Sequence, residues 1–141
     1  MKRRAALSLM AASLAVLAFP RTARAGTWPD WTKLMMGVPR VRGAGIYTHW
    51  GLVCDQTGLS FGRADITELQ KSFTTTFVVI GGVQHRRMTG NDEMVLLRGG
   101  DVPVVLYKTR RLFMVAKGEP DASAPTIASD MRWIYERLRP H

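Results

Sequence analysis

The spacing of apolar residues along this chain switches between a helical period near 3.6 and a strand period of two. Near the C-terminus Ile127, Met131, Ile134 and Leu138 recur at steps of four, three and four. That stripe predicts an amphipathic helix over Thr126–Leu138, with Arg132, Glu136, Arg137 and Arg139 turned elsewhere. Trp28-Pro29-Asp30-Trp31-Thr32-Lys33-Leu34-Met35-Met36 reads as a short helix. Thr27 or Trp28 would cap it, Pro29 suits its first turn, and Gly37 stops it. Asp65-Ile66-Thr67-Glu68 resembles a capping box, and Ile66, Leu69 and Phe73 continue a helical stripe.

Strand patterns fill the rest. Ala44–Tyr47 and Leu52–Cys54 flank a turn at Trp50-Gly51, which predicts a hairpin. Phe77–Ile80 is β-branched and ends in Gly81-Gly82; Val83–Thr89 is polar and suits a strand with one wet face. Asn91-Asp92 marks a turn before Met94–Arg98, Gly99-Gly100-Asp101 marks another before Val102–Lys108, and Leu112–Ala116 is a last apolar strand. Turn signals at such short intervals predict an antiparallel meander. The order of helix, hairpin, helix, meander and long helix gives an α+β domain. Its N- and C-terminal helices would pack on one face of a central antiparallel sheet.

Charge divides the chain in two. The 141 residues carry a formal net charge of +9. Five of the basic residues, Lys2, Arg3, Arg4, Arg21 and Arg24, fall in the first 25, which hold no acid. Lys2-Arg3-Arg4, the apolar run Ala5–Phe19 and Ala23-Arg24-Ala25 match the charged, apolar and cleavage-site regions of a signal peptide. Residues 1–25 are therefore set apart as a signal-peptide-like segment, and residues 26–141 form one domain. The domain keeps fifteen basic and eleven acidic residues, a net of +4. That suits an acidic protein face or anionic headgroups and is no nucleic-acid signature.

Chemistry is sparse. The single cysteine, Cys54, allows no internal disulfide and reads as a small buried apolar residue. His49, His85 and His141 lack the spacing of a metal site. No phosphate-cradling loop and no general acid/base pair is present, so the sequence points to no enzyme, no cofactor and no metal. The unusual feature is Trp28 and Trp31, one helical turn apart. Such a pair either anchors its helix or stacks proline rings of a rigid polyproline II segment.

In order and spacing these motifs resemble those of profilins. The aromatic helix Trp28-Pro29-Asp30-Trp31 comes first, then the small-small-aliphatic strand Ala44-Gly45-Ile46 and the helix with Ile66 and Phe73. Ile80-Gly81-Gly82-Val83, Asn91-Asp92, Lys108-Thr109, Leu112–Ala116 and the helix to Leu138 follow. The resemblance covers about residues 27–139. It implies a profilin-like fold and an actin-monomer-binding protein that regulates actin polymerisation, not an enzyme, and a monomer in the cytoplasm and cytoskeleton. A functional signal segment would make it secreted instead. It implies an actin face with Arg87, Arg98 and Arg132, where Arg87 rather than its neighbour Arg86 joins the face. It also implies a face for proline-rich segments with Trp28, Trp31 and Tyr135, and phosphoinositide binding by nearby basic residues. The alternative is a profilin-like adaptor, or a lipid-surface binder using Arg86, Arg87, Arg98 and Arg132, that has lost actin binding.

Overall fold

The computed structural model describes residues 27–141. The signal-like segment lies outside them. The chain divides into two compact units between Trp31 and Thr32. The described part of the first is the start of helix α1 (Trp28–Met36). There the Thr27 N–H donates to the Asp30 carboxylate at 3.0 Å and the Asp30 N–H donates to the Thr27 carbonyl at 3.0 Å. Two otherwise orphaned donors are thus satisfied, and an acid sits where the helix dipole favours it.

In the second unit seven strands form one antiparallel sheet. They are β1 (Val41–Thr48), β2 (Val53–Thr57), β3 (Phe77–Ile80), β4 (Val83–Gly90), β5 (Met94–Gly99), β6 (Val102–Lys108) and β7 (Leu112–Gly118). The spatial order is β2-β1-β7-β6-β5-β4-β3. The meander therefore runs β7 back to β3, while β1 closes against β7 through the register Ala44↔Ala116 and Ile46↔Met114.

Helices cover both faces of the middle strands. On one face, Ile66 and Leu69 of α2 (Arg63–Lys71) join a cluster with Val78, Leu97, Leu106, Phe113 and Val115. On the other lies α3 (Ala124–Leu138). The hydroxyl of Tyr107 in β6 donates to the Ala128 carbonyl of α3 at 2.6 Å, and its ring stacks on Tyr135 at 4.6 Å. Double coverage explains why β5, β6 and β7 read as nearly continuous apolar runs rather than alternating ones. The α3 stripe predicted from spacing, Ile127, Met131, Ile134 and Leu138, is fully buried. At about 1.5–3 kcal/mol for each large aliphatic side chain, that burial holds the helix in place.

The second half of α1 lies beside α3. Lys33, Leu34 and Val38 share a groove with Ser129 and Trp133. The Thr32 hydroxyl also donates to Asp55 of β2.

Two helix starts differ from expectation. Helix α3 begins at Ala124, not Thr126, because Ser123 caps it by accepting from the Thr126 N–H at 3.3 Å, with Pro125 in the first turn. Helix α2 begins at Arg63, so Asp65 lies inside its first turn rather than at the cap. Its carboxylate accepts from the Gly62 N–H at 3.0 Å and from the Gly81 N–H at 2.7 Å, tying the helix start to the β3–β4 turn. Cys54 is half-buried rather than buried. It is the extra residue of an irregularity where Ile46 pairs Asp55 and Tyr47 pairs Val53. Burial pushes its thiol pKa up, which keeps it a poor nucleophile.

Candidate functional site: a half-covered sheet

The β3–β4 hairpin turns on Gly81 and Gly82, both in the left-handed region at φ 60° and 76°. Two consecutive positive φ values define the tight hairpin turn whose twist matches the strands. Its register then sets every side chain: Phe77 faces Arg86, Val78 faces His85, and Val79 faces Gln84. Next door, Arg86 pairs with Arg98 and Arg87 with Leu97.

Directly paired residues share a face of the sheet. Phe77, Arg86 and Arg98 therefore lie on the α3 side, and His85, Arg87 and Leu97 on the α2 side. Arg87 does not join Arg98, contrary to the sequence expectation. Its guanidinium instead donates to the Phe73 carbonyl behind α2 at 3.2 Å. Adjacent strand positions do face opposite ways, but the parity of a strand is set by its partner, and only the pairing with β5 fixes it.

Helix α3 covers β5 to β7 and does not reach β3. As a result Phe77, Val79 and Met88 stand 54%, 50% and 51% exposed. Phe77 and Met88, with Gln84, Arg86, Arg98 and Gly100, surround a shallow depression of about 330 Å³. Large apolar side chains clustered on one exposed face mark a binding surface more often than a solvated one. Arg98 is fixed at its rim, donating to the carbonyls of Asp101 at 3.0 Å and Ala122 at 3.2 Å. Arg132 borders a neighbouring depression with Met94, Leu96 and Tyr107, and pairs with Glu136 at 3.0 Å. Arg86 makes no ion pair among the described residues.

The hairpin is braced from behind. The Val79 N–H donates to Glu68 of α2 at 2.9 Å, and this bond holds the Glu68 carboxyl below its ordinary pKa. On the α2 side the buried His85 ring lies against Gly99 of β5, with Nδ1 2.8 Å from the Val83 carbonyl. Burial lowers the pKa of this ring, so the neutral imidazole is the form the fold accommodates.

The aromatic residues expected to bind proline-rich segments divide. Trp28 and Trp31 are both in α1, Trp28 half-buried and Trp31 only 4% exposed. Tyr135 is 1% exposed, with its ring on Tyr107 and its hydroxyl donating to the Lys108 carbonyl at 3.1 Å. It has no ring face to offer a ligand and serves the core instead. The exposed aromatic of α3 is Trp133, with the Arg137 guanidinium 5.7 Å from its ring centroid. The sequence reading passed it over, although Trp133 lies off the Ile127–Leu138 stripe and so faces outward by the same periodicity.

Among the described residues no cluster of His, Cys, Asp and Glu is placed to hold a metal ion. Nor is any helix among them long and apolar enough to cross a membrane.

No protein-family model matches the chain, and no curated protein matches it in sequence. Solved structures do. Profilin IA of Acanthamoeba castellanii superposes with a TM-score of 0.70 at 17% identity, covering 81% of this chain and 98% of its own. LokiProfilin1, in its complex with rabbit actin, gives 0.69 at 13% identity over 79% of this chain and 93% of its own. Mouse profilin IIa, in complex with a double repeat from the FH1 domain of mDia1, gives 0.64 at 13% identity, over 82% and 98%. The central antiparallel sheet and the N- and C-terminal helices are those of these structures: the chain has the profilin fold.

Proposed function

We propose that this protein binds monomeric actin through the half-covered sheet and thereby regulates actin polymerisation. The observation that carries the reading is the uncovered apolar and basic surface of Phe77, Val79, Met88, Arg86 and Arg98, with Arg132 at its border. A burial-ready apolar centre with a cationic rim fits a protein partner of acidic surface, the centre supplying affinity and the rim association rate. The likeness to a profilin solved with rabbit actin supports the choice of partner. Nothing in the arrangement calls for catalysis. Arg86 takes the place in this face first expected for Arg87.

A second surface, at the start of α1, is proposed to bind proline-rich segments weakly through Trp28, the half-buried ring of that helix turn. The mouse profilin solved with an FH1 repeat supports it. With Trp31 and Tyr135 buried the site lacks two expected rings, and each lost stacking contact costs about 0.5–1.5 kcal/mol beyond area burial. Phosphoinositide headgroups would meet Arg86, the one member of the basic set whose side chain makes neither an ion pair nor a hydrogen bond among the described residues, and would compete with actin there.

Assembly of pyrene-labelled actin tests the main proposal. Excess full-length protein should slow assembly, while the double variant Phe77→Asp/Arg86→Glu should not. Unchanged assembly with the unsubstituted protein overturns the reading. Titration of tryptophan fluorescence with decaproline tests the second surface, and a flat response removes it.

A further inference from the structure

The two edges of the sheet are treated differently. Edge strands expose unpaired N–H and C=O groups, and proteins usually block them. Strand β3 is blocked: Glu68 takes the Val79 N–H and Asp65 takes the Gly81 N–H. Strand β2, at the other edge, pairs only with β1. The Thr48 N–H donates to the Leu52 carbonyl, and Ile46 and Ala44 pair onward with Asp55 and Thr57. Alternation then directs the main-chain groups of Gln56 away from β1. No hydrogen bond among the described residues takes them. The strand contains no proline and no lysine. The apolar side chains that lead into it are exposed: Trp50 by 58%, Leu52 by 53% and Val53 by 42%.

The charges around this edge are one-sided. The Arg63 side chain lies across the hairpin turn, so close that a Cβ at Gly51 would come within 3.1 Å of its Cγ. Arg111 is brought to the same turn by the bond from the His49 N–H to its carbonyl at 3.0 Å. Both arginines are exposed and neither makes an ion pair among the described residues. The only acid of β2, Asp55, is already engaged by the Thr32 hydroxyl.

We infer that β2 is a docking edge for an extended, acidic segment of a partner protein, which adds to the sheet as an eighth strand. Main-chain hydrogen bonds to β2 supply the affinity of such an arrangement, and alternate side chains supply its selectivity. The partner's apolar residues would rest on Trp50, Leu52 and Val53, and its carboxylates on Arg63 and Arg111. A second copy of this chain fits poorly, because pairing two such edges sets arginines against arginines. The edge lies at the opposite end of the sheet from the proposed actin surface, so the two sites are separable by experiment.

The test uses the full chain and an acetylated, amidated octapeptide alternating Glu and Val, titrated calorimetrically. The expected result is saturable binding that weakens as salt rises, and that falls at least tenfold in Arg63→Glu and in Trp50→Ala. The Lys-Val counterpart should bind at least tenfold more weakly. A Glu-Val peptide N-methylated on alternate residues should not bind at all. Three results overturn the inference: no binding of the Glu-Val peptide, equal binding of the Lys-Val or N-methylated peptide, or affinity unchanged in both variants. A dimer in sedimentation velocity, or pelleting with phosphatidylserine vesicles, that Trp50→Ala abolishes would assign the edge to a second copy or a bilayer instead. Actin assembly run on the same two variants should match the unsubstituted protein, which keeps this site distinct from the actin surface.

Discussion

Replacing Gly99 by alanine is the sharpest probe of how the candidate surface is held. A Cβ there would lie 2.6 Å from Nε2, 2.8 Å from Cδ2 and 2.8 Å from Cε1 of His85. Comfortable contacts between such atoms are about 3.5–4.0 Å, so the ring must retreat by about 1 Å. It has little room, because His85 is 7% exposed and its Nδ1 is held by the Val83 carbonyl. Overpacking of this kind costs about 1–3 kcal/mol. That is a large share of the total stability of a small domain, about 5–15 kcal/mol. His85→Ala removes the obstacle, so Gly99→Ala should cost much less in that background. A coupling of about 0.5–3 kcal/mol between the two sites is expected. Urea unfolding of the four proteins of the cycle, followed by tryptophan fluorescence, measures it. Because Gly99 adjoins Arg98 in β5, and Arg98 pairs Arg86, the single variant should also bind actin more weakly than the double one. Strictly additive costs, or a neutral Gly99→Ala, would refute the contact on which this reasoning rests.

Acid sensitivity follows from the same ring. The folded state lowers the pKa of His85, and of His49, below 6.5, in each case chiefly by burial. The unfolded chain therefore binds protons first as pH falls. The stability due to the neutral rings is present above about pH 6.5 and is lost as pH drops through that value toward the lower folded pKa. His85→Ala should flatten this dependence between pH 7 and 5 in thermal unfolding; an unaltered slope would exclude His85 as its source. Removing the α3 cap with Ser123→Ala should cost about 1 kcal/mol in urea unfolding, by orphaning the Thr126 N–H. Asp65→Ala should loosen the β3–β4 turn by freeing the Gly81 N–H, seen as faster amide exchange in β3 and β4 than in β7. Equal protection across the three strands would contradict that.

Much of the fold was legible because local signals agreed with global ones. The Ile127–Leu138 stripe, the Gly81-Gly82 turn and the short apolar runs of β5 to β7 each require one kind of element. What pattern alone left open was parity and reach. Arg86 and Arg87 are interchangeable in sequence, and only the register of β4 against β5 decides that Arg86 faces outward with Arg98. Tyr135 looked available because the stripe was read as four residues. Burial adds Tyr135 and Ala128 to it, widening the covered face. The exposure of Phe77, Val79 and Met88 was not legible at all. A continuous apolar run such as Phe77–Ile80 suggests two covered faces, and where α3 stops along the sheet is a tertiary fact. The contrast between the blocked β3 edge and the open β2 edge depends likewise on side-chain bonds from α2 to β3 and its turn, which no hydrophobic pattern records.

Sedimentation velocity of fluorescently labelled monomeric actin with the unlabelled full-length protein tests the central claim most directly. A one-to-one complex is predicted, weakening with rising salt because of the arginine rim and lost in Phe77→Asp/Arg86→Glu. Actin that sediments as free monomer at excess protein, or a complex indifferent to that double variant, would contradict the account.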